Sequence, residues 1–265
     1  MKPLKGLATA IMILLGITAL VALFAAFAYF NRASVLDDLA NKTIQDVEDA
    51  DDFVGAANGF FSLMSIATAV VWIIWQFRHA KNAVALRGPT GLAPGWAIGG
   101  WFIPVGNLVL PQMQLMQAAK ASDPDLAPGQ PTANGRAPGA LIAWWVLLVL
   151  AAVMNFGASV VRGPGSDDFD FDPDNFMQGD RIAAFAMMVF IAAAIAGIFL
   201  VKELSDRQAR AMGVAGGGQA APSQYQQAHQ PPQQQWQQPA PPPPPAQPQP
   251  QQWQPPPPPP PPPPQ

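Results

Sequence analysis

Cysteine is absent from the chain of 265 residues, which removes disulfide frameworks, thiol catalysis and thiolate metal sites together. Histidine is scarce: His79 and His229 are the only two, too few for a histidine-rich metal centre. Charge is also scarce, at 12% of residues with a net charge of −3, and no basic cluster exceeds a few residues. Nothing here offers a nucleic-acid footprint. Half of the residues are hydrophobic, more apolar surface than a soluble chain of this size could bury, so membrane insertion is the natural reading.

The apolar residues fall into long runs. Gly6 to Phe30 carries no charge and follows Lys2 and Lys5. A secretory signal peptide also begins with positive charge, and Ala26-Phe27-Ala28 resembles a cleavage site, but its apolar core is usually only about 7 to 15 residues, so an uncleaved first span is expected. Further spans are expected at about 54–77, 140–161 and 182–201. Two acidic loops, Asn31 to Asp52 and Arg162 to Asp180, belong in water. Small and hydroxyl residues within the second span (Ser62, Ser65, Thr68), and Gly197 in the last, point to close helix packing. Asn58 and Asn155 are expected as inter-helix glue, with pore lining the lesser reading. Trp72 and Trp75 suit an interfacial belt.

Between the second and third spans lies Gly91 to Pro111, apolar enough for a membrane but punctuated by Pro94, Pro104 and Pro111. Proline removes a backbone donor and clashes with the preceding turn, so this stretch is no straight helix and must lean on protein, an interface or a cavity. Residues 91–116 are expected to be re-entrant or interfacial. From residue 213 to 265 the chain is Gly/Ala-rich and then Pro/Gln-rich, ending in Pro255 to Pro264. Such a tail buries no core and is expected to be disordered with polyproline II character.

The 14 Lys and Arg residues discriminate between topologies. With four spans, Lys2, Lys5, Arg78, Lys81, Arg87, Lys120, Arg136, Lys202, Arg207 and Arg210 share the inner side, and only Arg32, Lys42, Arg162 and Arg181 lie outside. A fifth crossing by the central stretch would divide them evenly. The positive-inside rule favours four, with both termini cytoplasmic and the spans forming two helical hairpins around the central segment.

From Arg78 the words Arg78-His79-Ala80-Lys81-Asn82-Ala83, Leu86, Pro94 to Pro104, Asn107-Leu108 and Pro111 are specific. This pattern resembles an uncharacterised, mainly actinobacterial membrane family catalogued as domain of unknown function 4328. The resemblance implies a multi-spanning membrane domain, here residues 1–212, often joined to a Pro-rich tail and without an established activity. Family members often carry the low-complexity region before the first span, whereas here it follows the last.

No span contains a charged residue, which argues against proton-coupled transport and against most intramembrane hydrolases. An enzyme is not expected, and neither is a cofactor. His79, beside Arg78 and Lys81, is expected to be a solvated interfacial histidine. Asp168, Asp170, Asp172 and Asp174 alternate like the start of a calcium loop, but its sixth and twelfth positions would be Pro173 and Gly179 rather than Gly and Glu, so they are only weak metal candidates. Trp96, Trp101, Phe102 and Asn107, with Pro104 and Pro111, suggest either a pocket for a lipid headgroup or apolar molecule, or a plain interfacial element. Arg78, Lys81, Asn82 and Arg87 adjoin them, and the cations suit anionic lipid. The expected function is a non-enzymatic scaffold or adaptor in the cell membrane, with lipids as partners and protein partners through the tail. The alternative is a small transporter or channel built around the central segment.

Overall fold

Each expected apolar run lies inside one long helix, because a backbone in hydrocarbon must satisfy its own polar groups. In the computed structural model, which describes residues 3–163 and 172–217, these are α1 (Lys5–Asp37), α2 (Ile44–Arg87), α5 (Gly139–Arg162) and α6 (Pro173–Gly217). Short helices α3 (Trp96–Gly99) and α4 (Leu110–Ala121) lie between α2 and α5. No strand occurs among the described residues. Four helices are long and apolar enough to cross a membrane, which makes this an all-α, multi-pass membrane protein. The tail from 218 onward, Asp168 and Asp170 lie outside the described residues.

The acidic loops are shorter than their composition predicts. Most of Asn31 to Asp52 is helical, leaving residues 38–43 as the connection. Thr43 explains the early start of α2: its hydroxyl accepts the Asp46 N–H at 3.2 Å while the Asp46 carboxylate accepts the Thr43 N–H at 2.8 Å, a reciprocal capping box. That backbone N–H, helped by the hydroxyl, holds the Asp46 carboxyl below the ordinary carboxylate range. The cap therefore weakens as pH falls through that lowered value. Asp172 opens α6 with a one-way cap, accepting the N–H groups of Asp174 and Asn175 at 3.0 and 3.4 Å, with Pro173 as the first helical residue. At the other end α6 continues through residues 213–217, past the expected end of the membrane domain.

Packing is carried by small residues. α1 lies against both α2 and α6, and α5 lies against α6. Ala22, Ala25, Ala26 and Ala28 of α1 meet Ala57 of α2, Ala158 of α5 and Ala183 and Ala184 of α6 in one buried cluster, since without a hydrophobic drive between helices close van der Waals approach must hold them. Two glycines of α6 mark close approaches to α5. A Cβ at Gly197 would meet Trp144 at 3.1 Å, and one at Gly179 would meet Arg162 Cγ at 2.5 Å. Across α1 and α2 the hydroxyls of Thr18 and Thr68 share a hydrogen bond of 2.9 Å, and Asn58 Nδ2 donates to Tyr29 Oη at 2.8 Å. Asn58 is thus the inter-helix link its position suggested. Asn155 is not: it is exposed on α5.

Asp180 forms the polar knot at the end of the bundle where α1 gives way to α2. Its carboxylate is fully buried and accepts from Arg32 Nε and Nη2, each at 2.7 Å, and from Arg162 Nε at 2.9 Å. Arg32 Nη1 also reaches Asp51 at 2.9 Å, so α1, α2, α5 and α6 are tied at one place. Breaking a buried pair strands charge and typically costs about 3–5 kcal/mol. Asp180→Asn is expected to destabilise the detergent-solubilised protein by that order, read as a lower thermal midpoint. A midpoint unchanged from the parent would show that the knot does not hold the bundle.

Candidate functional site

The central segment is built from turns, as its prolines require. After α2 ends at Gly88, which takes φ 82° as a helix-stopping glycine, the chain passes through α3, 3-10 turns at Gly100–Phe102 and Gly106–Leu108, and then α4. Val105 adopts φ 62°, a region β-branched residues avoid at a cost of about 1–3 kcal/mol, and its side chain is exposed.

Two buried glutamines hold this irregular chain in place. Gln76, near the end of the apolar part of α2, donates from Nε2 to the Pro111 carbonyl at 2.8 Å and to Gln114 Oε1 at 3.1 Å, and it accepts the Trp101 indole N–H at 3.2 Å. Pro111 lies in the first turn of α4, where carbonyls are already in helical register, so the Gln76 amide is an additional donor that joins α2 to the start of that helix. Gln208 of α6 is the second hub. Its Nε2 donates to the His79 carbonyl at 3.0 Å and to Ser122 Oγ at 3.1 Å, and its Oε1 accepts from Asn82 Nδ2 at 3.1 Å. Gln117 adds a third amide clasp, accepting the Leu92 N–H at 2.7 Å. Beyond α4, Asp123 accepts the Arg136 N–H at 2.7 Å, while Arg87 Nη2 donates to the Leu126 carbonyl at 2.6 Å.

The packing at this end overturns two expectations. His79 is not solvated but fully buried, with neither ring nitrogen hydrogen-bonded, and it stacks at a tilt on Trp75 at 5.4 Å. Trp72 and Trp75 are likewise interior rather than half wet: Trp72 stacks on Trp144 at 4.5 Å, and Trp75 Nε1 donates to Ser205 Oγ at 3.2 Å. For His79 and Trp75 the cause is the length of α6, which runs past Val201 and places Ser205 and Gln208 by the end of α2, whereas Trp72 is covered by Trp144 of α5.

The sequence-derived site residues divide into two groups. Asn82, Arg87, Trp101 and Pro111 point into the network just described. Phe102 and Pro104 are exposed, Trp96 is 38% exposed, and Asn107 and Arg78 are half-buried. Lys81 is exposed, with its ammonium 4.8 Å from the Phe77 ring centroid. Of the acidic candidates, Asp172 is occupied as a helix cap and Asp174 is exposed in the first turn of α6. Among the described residues no group of three acidic or histidine side chains could hold a metal ion.

What sequence reasoning missed is a half-open cavity of about 230 Å³ between the long helices. Leu15 and Thr18 of α1 form its floor with Phe190 of α6, Ser65, Thr68, Ala69 and Trp72 of α2 form one wall, and Trp144 and Leu148 of α5 form the other. Trp101 of the central segment reaches its end, where its ring meets Trp145 edge-on at 6.3 Å. The small and hydroxyl residues of the second span were its only sequence signal.

A family model described as "Domain of unknown function (DUF4328)" matches residues 38–206. The chain belongs to this family. The match takes in the central segment and the Gln76 hub and ends two residues before Gln208. No curated protein and no solved structure matches the chain.

If Gln76 pins the central segment, Gln76→Leu leaves the Trp101 indole and the Pro111 carbonyl without it, at about 1–3 kcal/mol for an unsatisfied buried group. Amide hydrogen exchange across residues 91–121 should then rise at least tenfold, while α1 remains protected. Unaltered exchange in that segment would remove Gln76 from the role.

Proposed function

We propose that this protein is a non-enzymatic membrane scaffold, in which a fixed helical domain presents residues 218–265 for interaction with protein partners. The observation that carries this reading is the Gln208 hub. It fastens the far end of α6, the helix that leads toward those residues, to α2 and to the end of α4. A scaffold needs such a fixed exit, whereas a transporter gate must have two discrete arrangements. The central segment is held by Gln76 and Gln117 as well, which suits a static element better than a moving one.

Within this reading residues 91–116 do not cross the membrane but form a re-entrant or interfacial element, and the long helices act as two hairpins on either side of it. The count of Lys and Arg supports that topology, with both termini in the cytoplasm. Contacts of α3 and α4 with α2 and with each other agree with an element folded back on the helix it follows. Lys81 and Arg78 lie beside it and suit anionic lipid headgroups at about 1 kcal/mol each.

Deleting residues 218–265 tests the proposal. Proteins cross-linked to the full chain in its native membrane should be lost from the truncated chain, while its thermal midpoint stays within about 1 °C of the parent because Gln208 and the core remain. Retention of the same cross-linked partners would refute the scaffold reading. A solute flux through reconstituted vesicles that survives the deletion would favour a transporter instead.

A further inference from the structure

The cavity between α2 and α5 is unassigned, and its form is informative. α1 meets α2 and α6, and α6 meets α5, so α1 and α6 make a continuous floor while α2 and α5 stand apart as walls. The walls touch at one end through the Trp72–Trp144 stack. A second hollow of about 220 Å³, lined by Phe61, Ser65, Leu148, Ala152, Asn155 and Phe190, shares Ser65, Leu148 and Phe190 with the first. The two are adjoining parts of one crevice. Ala69 and Ala152 on its rims are exposed, so it opens sideways toward the space that lipid fills around a membrane protein.

We propose that this crevice binds one acyl chain of a membrane glycerolipid, with the ester carbonyl of that chain accepting a hydrogen bond at Trp72. Length supports the chain. From Phe61 to Trp72 the α2 wall runs about 16 Å at the helical rise of about 1.5 Å per residue, close to half of a hydrocarbon core of roughly 30 Å. That is the reach of a chain from one leaflet. Polarity supports the carbonyl. Trp72 is only 4% exposed, yet its indole N–H has no acceptor, and the buried Ser65 hydroxyl in the same wall has no partner either. A buried donor in a low-dielectric interior is costly unless paired, and a hydrocarbon cannot pair it. A glycerolipid supplies an apolar chain and an acceptor at one end of it. The Trp72 end is also where Trp101 and Trp145 stand, aromatic residues of the kind that favour the boundary between chains and headgroups.

The inference stands apart from the scaffold reading, since it concerns residues 15–190 and not the tail. The test is native mass spectrometry of the full chain released from phosphatidylcholine nanodiscs. The parent should retain one phosphatidylcholine per chain. Ala69→Leu with Ala152→Leu, which narrows both halves of the crevice, should lose most of it, and Trp72→Phe, which keeps the stack but removes the N–H, should retain it about tenfold less well. Val70→Leu, exposed on α2 outside the crevice, should behave as the parent. If the double variant does not fold, Ala152→Leu alone decides by the same reading. A parent that retains no lipid, narrowing variants that retain as much as the parent, or displacement by an equal amount of hexadecane or oleate would each overturn the proposal.

Discussion

The structure depends on side-chain amides that pin an irregular segment and the helices flanking it. Residues 91–109 contain turns and prolines, so their carbonyls and N–H groups lack regular helical partners, and next to a membrane water is not freely at hand. Gln117 answers one of these groups directly, the Leu92 N–H, while Gln76 holds the Trp101 side chain and the start of α4, and Gln208 joins α6 to α2 and to Ser122 at the end of α4. An amide is suited to this because it donates and accepts at once and carries no charge to desolvate. Gln76 therefore serves the Pro111 carbonyl and the Trp101 indole together.

This arrangement connects the two ends of the molecule. At one end Asp180 gathers Arg32 and Arg162, tying α6 to α1 and α5. At the other, Gln208 ties the same α6 to α2 and to the end of α4. α6 is thus the strut against which the first half of the chain is aligned. Between the two knots lie alanine-rich contacts and, where α2 and α5 separate, the crevice closed at one end by Trp72, Trp144 and Trp101. The aromatic residues that suggested a wet interfacial belt are instead the packed end of that space.

Much of the fold was legible in sequence because each membrane span writes a long uncharged run, and all four fell inside the long helices found. The helix extensions were not legible. Asn31 to Asp52 looks like a loop by charge, but a capping box and solvated acidic faces suit a helix projecting beyond lipid. The buried state of His79 was hidden for a related reason: its cover, Leu204 and Gln208, lies more than 120 residues away and follows the last apolar run. Gln76 and Gln208 leave no spacing signal, since one glutamine at a helix end reads as a solvated residue. In the candidate site, Trp101, Pro111, Asn82 and Arg87 were recognised as special, but as ligand-facing groups rather than as members of the network that folds the segment. Ser65 and Thr68 were read as packing residues, and only the distance between α2 and α5 turned them into a cavity wall.

The central claim is that the amide-pinned segment stays on the side of the membrane where α2 ends. Cysteine labelling at Glu48 and Asp125, both exposed and in a chain free of native cysteine, tests it most directly. With Glu48→Cys and Asp125→Cys made separately, an impermeant maleimide should label one position only from outside the cell and the other only after the membrane is opened. Labelling of both from the same side would mean that residues 91–116 cross the membrane, and would contradict the account.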